Sequence, residues 1–364
     1  MDILILTAFF GAGHYTVSKA IKEQALSVDN TLDIELLDFY GYLNPNIDKY
    51  FYKFYNFLTK DQPKLYNYFY NRKKDFMKFS YDDIVYKIHL QKISKYIVEA
   101  NPKVVISTFP ICSGIVSKFK EKTGSKIPLI TCITDVVDSW EWIHPGTDKY
   151  FVPTPGVKQK LIEKGVPQDI IKVTGVPVRS NFLNSDIKSK KNQVSSNLKK
   201  ILIMGGGRGA FDLDMEFLEW LDSMDDTRVT IVAGTNEKLR ESLLEREFKR
   251  ILILGFVEDV ASLMKQHNIL ISKPGGATIF EAINCEIPMI VKRPSIGQEL
   301  ANATFIEDSG IGFISDDTAE MKRYLKKLIE SDGEIEKMRA NIFDIKNIIE
   351  TKQVGNYVIE HMYS

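Results

Sequence analysis

The sequence predicts an α/β protein of two doubly wound domains, each a parallel sheet with helices on both faces. Three observations predict it. Short apolar runs alternate with amphipathic stretches along the chain, the alternation restarts near residue 200, and several apolar runs end in glycine-rich turns. Alternating strands and helices imply a parallel sheet, since each strand is followed by a helix that covers a face. The chain has 364 residues, enough for two domains that each bury a core.

Residues 2–8 (DILILTA) read as a strand buried on both faces. The following stretch, 15–27, repeats apolar residues at helical spacing: Val17, Ala20, Ile21 and Ala25. A second strand is read at 33–39 (DIELLDF), and a helix at 81–100. Further strands are VVISTF (104–109), PLITCIT (128–134), KYFVPT (149–154) and the run around IIKVTG (170–175). After the restart come KKILIMGGG, RVTIVAG, RILILGFV, NILISKPGG, IPMIVKRP and IGFIS, each separated by a helical segment. Between the halves lies a polar stretch rich in Ser and Lys, which reads as a linker. The expected division is therefore 1–184, a linker at 185–199, and 200–364, with the final helix packing back on the first domain. Ligands of such sheets bind at the carboxyl ends of strands, where both glycine turns fall.

Composition narrows the classes. Hydrophobic residues make up 44% and charged residues 26%, a globular composition. The net charge of zero hides an asymmetry: 24 Lys+Arg against 19 Asp+Glu in residues 1–182, and 24 against 29 in 183–364. The first half, at +5, suits an anionic surface. No run reaches the ~18 apolar residues of a membrane span. MDILILTAFF lacks the basic region and cleavage site of a signal peptide. Cys112, Cys132 and Cys285 are too few and too scattered for a disulfide framework or a zinc site.

The chemistry-bearing motifs sit at the strand ends. FFGAGH (9–14) is not a dinucleotide fingerprint, because Thr16 stands where the third glycine would be. In MGGGRGAF (204–211), four glycines in five positions let backbone amides approach an oxyanion. No Lys-Ser/Thr pair follows, which argues against an ATPase loop. In SKPGGATIFEA, Gly275 and Gly276 open a helix whose first turns carry Thr278 and Glu281. Glu281 is either a partner of the helix dipole or a bidentate acceptor for two ribose hydroxyls.

The two glycine motifs, followed by GQELANA (297–303), resemble glycosyltransferase family 28 over most of the chain. This family includes the peptidoglycan enzyme MurG and the monogalactosyl- and glucosyl-diacylglycerol synthases. GAGH (11–14), TDVVDSWEWIHPGTDKYFVPT (134–154) and GVPVRSNF (175–182) are closer to the diacylglycerol branch. The resemblance implies a GT-B fold, two Rossmann-like domains facing a central cleft. It implies inverting transfer of a hexose from a UDP-sugar to diacylglycerol with no metal or other cofactor. UDP-glucose is favoured and UDP-galactose comes next. The alternatives are UDP-GlcNAc transfer to a polyprenyl-linked or other lipid, and a nucleotide-sugar-binding protein without catalysis.

Carried onto this chain, the resemblance puts Gly206, Gly207 and Arg208 near the diphosphate and Phe256 and Val257 beside uracil. Gly275, Gly276, Ala277 and Thr278 would cradle phosphate, and Glu281 would hold the ribose. Gln298 and Glu299 would touch the transferred hexose, with Asn302 supporting them. His14 is the expected general base, since inversion needs a base opposite the leaving group and an imidazole suits that work. Asp135 is its rival or its orienting partner. Gly11, Gly13, Trp142 and His144 fall near the acceptor. One departure stands out: the diacylglycerol branch commonly has a histidine four positions beyond the aspartate, where this chain has Ser139.

Residues 46–81 hold thirteen aromatics, eight Lys+Arg and three Asp. Tyrosines and phenylalanines outnumber arginines too heavily for a nucleic-acid site. The expected role is an interfacial one, with Phe51, Phe54 and Phe57 at headgroup depth and Lys73 and Lys74 drawn to anionic lipid. The protein is thus expected on the cytoplasmic face of the cell membrane as a peripheral enzyme.

Overall fold

The computed structural model describes residues 1–9, 13–43, 84–183, 198–206, 214–295 and 297–363. Gly11, Gly207, Arg208, the expected interfacial residues Phe51, Phe54, Phe57, Lys73 and Lys74, and most of the linker lie outside the described residues. The chain forms two units: Met1–Ser180 with Ser295–Gln298 and Ile349–Ser364, and Asn181–Pro294 with Glu299–Ile348.

The first unit is built on β1 (Ile3–Thr7), β2 (Ile34–Asp38), β3 (Val104–Ser107), β4 (Leu129–Cys132), β5 (Lys149–Val152) and β6 (Ile171–Val173). Its helices are α1 (Gly13–Val28), α2 (Phe39–Leu43), α3 (Ile84–Ala100), α4 (Pro110–Thr123) and α5 (Pro155–Glu163). A short helix α6 (Ser180–Leu183) follows β6. The strands pair in parallel in the order β2-β1-β3-β4-β5-β6. All five residues of β1 and all four of β3 are buried, which is why these strands read as continuous apolar runs. On α1 the buried residues include Val17, Ala20, Ile21 and Ala25, the four apolar positions at helical spacing. A Cβ at Gly355 would lie 2.4 Å from the Gln24 carbonyl oxygen, so the C-terminal helix α14 (Val354–Met362) meets α1 at a backbone contact only glycine permits.

The second unit contains β7 (Lys199–Met204), α7 (Met215–Asp222), β8 (Thr227–Val232), α8 (Glu237–Leu244), β9 (Ile251–Leu254) and α9 (Val260–Gln266). The chain continues through β10 (Ile269–Ser272), α10 (Gly276–Cys285), β11 (Met289–Lys292), α11 (Gly297–Asp308), β12 (Gly312–Ser315), α12 (Thr318–Glu330) and α13 (Asp332–Ile348). The order is β12-β11-β10-β7-β8-β9, again all parallel. Ile201, Ile203, Val229, Ile231, Ile269, Ile271 and Ile290 pack from the strands against Phe217, Leu221, Leu325 and Leu328 from the helices. Each such side chain taken from water contributes ~1.5–3 kcal/mol.

Both sheets reverse their winding at one place. In the first unit the reversal lies between β1 and β3, and in the second between β7 and β10. At such a point the loops leave neighbouring strands in opposite directions and open a crevice at their carboxyl ends.

Candidate active site

The first crevice is lined by the ends of β1, β3 and β4. His14 is the second residue of α1 and is half-buried. Its Nδ1 lies 2.9 Å from the carbonyl oxygen of Thr108, just past β3, and 3.0 Å from Oγ1 of Thr134, just past β4. A carbonyl can only accept, so Nδ1 carries the proton and Nε2 keeps its lone pair. The Thr134 hydroxyl donates in turn to Oδ2 of Asp135 at 3.4 Å. The edge of the Phe109 ring packs on the imidazole at a centroid distance of 5.2 Å.

A chain of buried hydroxyls fixes the backbone beneath this ring. Ser18 Oγ donates to the His14 carbonyl at 2.9 Å and lies 2.8 Å from Thr108 Oγ1, which donates to Thr7 Oγ1 at 2.9 Å. Asp38, at the end of β2, stands where a dinucleotide-binding unit keeps its ribose acid. Here its carboxylate accepts from the Phe9 and Gly41 amides at 3.3 and 3.2 Å, pinning the start of the loop that leads to His14. Burial pulls the His14 pKa below its ordinary 6.5, opposed by the charge of Asp135, the Thr108 carbonyl and the charge of Glu141. The imidazole is therefore neutral near pH 7, the form in which a base accepts a proton.

His144 and Trp142 occupy different surroundings from His14. Trp142 closes the short 3-10 turn Trp140–Trp142 and is buried. His144 is buried too; a ring nitrogen meets the Glu141 carbonyl at 2.9 Å, and its amide donates to the Tyr150 hydroxyl at 3.0 Å. Both hold the turn in shape, and the exposed ring of this turn is that of Trp140, with the Lys164 ammonium 5.6 Å above it. Ser139, at the departure from the family pattern, donates to the Glu141 carboxylate at 3.1 Å. Gly13 is exposed, and a Cβ there would meet no described protein atom within 4 Å.

The second crevice is lined by backbone. β7 is followed by Gly205 and Gly206, the latter at φ +72, a left-handed conformation that favours glycine. The neighbouring β10 ends in Ser272, whose hydroxyl donates to the Met204 carbonyl at 2.8 Å and ties the two glycine turns together. Gly275 then caps α10 with no side-chain hydrogen bond, leaving the first-turn amides of Gly276, Ala277 and Thr278 to other acceptors. Asn302 is fully buried and donates to the Pro274 carbonyl at 2.9 Å. It thus braces the glycine turn itself. Glu281 lies one turn beyond Thr278 on the same face of α10 and is buried. Phe256 is 68% exposed and follows β9 with the half-buried Val257, two strands from β7 and so ~10 Å away across the sheet. Gln298 and Glu299 are half-buried in the first turn of α11.

The structure thus brings together His14 and Asp135 at one crevice, and Gly206, Gly275–Thr278 and Asn302 at the other. Sequence reasoning missed Thr108, Thr134, Ser18 and Asp38. The TD pair at 134–135 is the available signal, in which the threonine carries as much of the arrangement as the aspartate. Among the described residues there is no group of three or more His, Cys, Asp or Glu that could hold a metal ion, and no helix long and apolar enough to cross a membrane.

Known proteins align with both units. Residues 14–178 match the family described as monogalactosyldiacylglycerol (MGDG) synthase, and residues 200–351 match the glycosyltransferase family 28 C-terminal domain. The processive diacylglycerol beta-glucosyltransferase of Bacillus subtilis (strain 168) is 32% identical over 360 residues, covering 94% of this chain and 91% of the relative. The enzyme of the same name from Staphylococcus carnosus (strain TM300) is 30% identical over 357 residues, 94% and 88% of the two chains. Among solved structures, Acinetobacter baumannii MurG superposes with a TM-score of 0.65 at 14% identity, covering 99% of this chain and 100% of that one. The UDP-GlcNAc 2-epimerase of Neisseria meningitidis reaches 0.59 at 16% identity, with full coverage of both chains. These two likenesses establish the two-sheet GT-B architecture.

Proposed function

The chain belongs to glycosyltransferase family 28, and we propose that it transfers a hexose from a UDP-sugar, UDP-glucose in preference to UDP-galactose, to the hydroxyl of diacylglycerol. The family membership and the relatives' names support the substrate pair. The geometric observation that carries the chemistry is His14, held with Nδ1–H on the Thr108 carbonyl so that Nε2 presents its lone pair.

In this reading Nε2 takes the proton of the lipid hydroxyl as its oxygen attacks the anomeric carbon. The bond from that carbon to the UDP oxygen breaks, and UDP leaves with the electron pair. Negative charge grows on the diphosphate, where the turn after β7 and the uncapped amides opening α10 offer fixed donors. The helix dipole adds to them, so the reaction is assigned no metal. Glu281 holds the ribose, Phe256 stacks on uracil, and Gln298 and Glu299 contact the hexose. A UDP-sugar is an α-linked donor, and the relatives are named beta-glucosyltransferases; a β product from an α donor is an inversion. A diacylglycerol stays in its bilayer, so we assign residues 46–81 the task of docking on anionic lipid at the cytoplasmic face, as a peripheral enzyme.

The test is incubation of the protein with UDP-glucose, UDP-galactose or UDP-GlcNAc and diacylglycerol liposomes, with and without a chelator. Mass analysis reads the sugar and the number of hexoses per lipid, and NMR reads the anomeric linkage. A β-linked hexosyl-diacylglycerol made from UDP-glucose, undiminished by chelation, is expected. No glycolipid from any donor, despite UDP binding, would replace this reading with a nucleotide-sugar-binding protein.

A further inference from the structure

We propose that Thr134 is a positioning residue for the base: its hydroxyl, set between Nδ1 of His14 and the carboxylate of Asp135, fixes the imidazole tautomer and carries the carboxylate's influence to the ring. The inference rests on His14 being the base of the transfer proposed above.

Three contacts define the arrangement. Nδ1 meets the Thr108 carbonyl at 2.9 Å and Thr134 Oγ1 at 3.0 Å, and Thr134 Oγ1 reaches Asp135 Oδ2 at 3.4 Å. The carbonyl has no proton to give, so the single Nδ1–H is shared between two oxygen acceptors. Thr134 accepts from the ring, and its own hydrogen is left for the aspartate. Its side chain is buried, so this hydroxyl has little water to turn to. The Asp135 bond is long at rest, as catalytic bonds often are before substrate and charge are present.

Proton transfer changes the balance. When the lipid hydroxyl gives its proton to Nε2, the ring becomes a cation while Nδ1–H stays where it is. The positive charge strengthens both bonds from Nδ1. The Thr134 hydroxyl, pulled upon as an acceptor, becomes a better donor to Asp135. Asp135 thus stabilises the imidazolium through an intervening hydroxyl and keeps its own proton inventory unchanged. Among the described residues, the others that act on the ring are Glu141, a second carboxylate whose charge favours the cation, and the Phe109 ring, which brings no charge. Valine at position 134 would fill nearly the same volume and remove the acceptor and donor together.

The experiment is 15N NMR of the histidine ring nitrogens as a function of pH, alongside turnover. His14→Gln assigns the signal among the five histidines. The native protein should show the Nδ1–H tautomer. Thr134→Val should move the His14 titration to lower pH and lower kcat by about tenfold, the scale of one charge-assisted hydrogen bond, with KM for the UDP-sugar unchanged. Thr134→Ser should restore both. Asp135→Asn should lower the titration in both backgrounds, because its charge also acts through space, but by less in Thr134→Val, where the hydroxyl link is gone. If Thr134→Val does not fold, Thr134→Ala serves in its place. An Nε2–H tautomer, or a Thr134 variant that titrates and turns over like the native protein, overturns the proposal and makes Thr134 a buried hydroxyl of the turn. Shifts as expected in a protein that makes no glycolipid leave this link standing and remove the function; glycolipid synthesis with an unresponsive titration does the reverse.

Discussion

The reversal point of the first sheet and that of the second are the same topological feature with opposite furnishings. Between β1 and β3, the crevice is lined by side chains that hold or pass protons: His14, Thr134, Asp135 and the Ser18–Thr108–Thr7 hydroxyls. Between β7 and β10, it is lined by glycines and uncapped amides, and side chains such as Ser272 and Asn302 serve the backbone. The fold supplies the crevice in each case, and the local residues decide what it does. Titratable groups suit a step that moves a proton. Fixed dipoles suit one in which negative charge must be received without reorganisation.

Four substitutions or conditions test this contrast. The largest effect is expected for His14→Ala, which should lower turnover by ~10²–10⁴, the range for losing a general base, and leave UDP affinity unchanged. Near-normal turnover by a folded variant would transfer the proton chemistry to Asp135. Glu281→Ala should do the opposite and weaken UDP binding by ~1.5–3 kcal/mol, the loss of hydrogen bonds to a charged group. Calorimetry with UDP alone measures it, with a melting curve to show that removing a buried carboxylate has not unfolded the unit. An unchanged Kd would return Glu281 to the fold. For Phe256→Ala the expected loss in UDP affinity is ~1 kcal/mol, the lower end of base–aromatic stacking for so exposed a ring.

The smallest effect is the pH response. Burial lowers the His14 pKa, so its proton is bound only at a pH below the ordinary 6.5. The neutral base persists above that value and is lost as pH falls through the depressed one. Turnover should be nearly flat from pH 8 to pH 6.5, with the acid limb lying lower. A limb centred above 6.5 would mean a ring stabilised as a cation at rest, and the contrast between the two crevices would then be one of charge from the outset.

The two-sheet architecture was legible because a parallel strand buried on both faces must be apolar at every position. ILILT and VVIS announce themselves for that reason. Period and position also revealed the buried face of α1, the glycine turns and the imidazole beside one of them. Asn302 shows the limit: GQELANA sets an asparagine close to Gln298 and Glu299 in sequence, and only the structure shows that its amide donates to the Pro274 carbonyl. A buried asparagine amide must find an acceptor, and which one lies within reach is set by how α11 packs against the turn before α10, not by its neighbours in sequence.

The two wound domains, the strand-end glycines and His14 could be read from residue order alone, since period, apolarity and glycine content are local properties of a chain. The strand order, and with it which strand ends meet, came from how the folded chain packs. Thr108 and Thr134 lie 94 and 120 residues from His14, and their oxygens reach the imidazole because β3 and β4 pair beside β1. Hydrogen bonds act over about 3 Å of space, whatever the distance along the chain. The tautomer of His14 was therefore written in no motif, and it follows from the order in which six strands lie side by side.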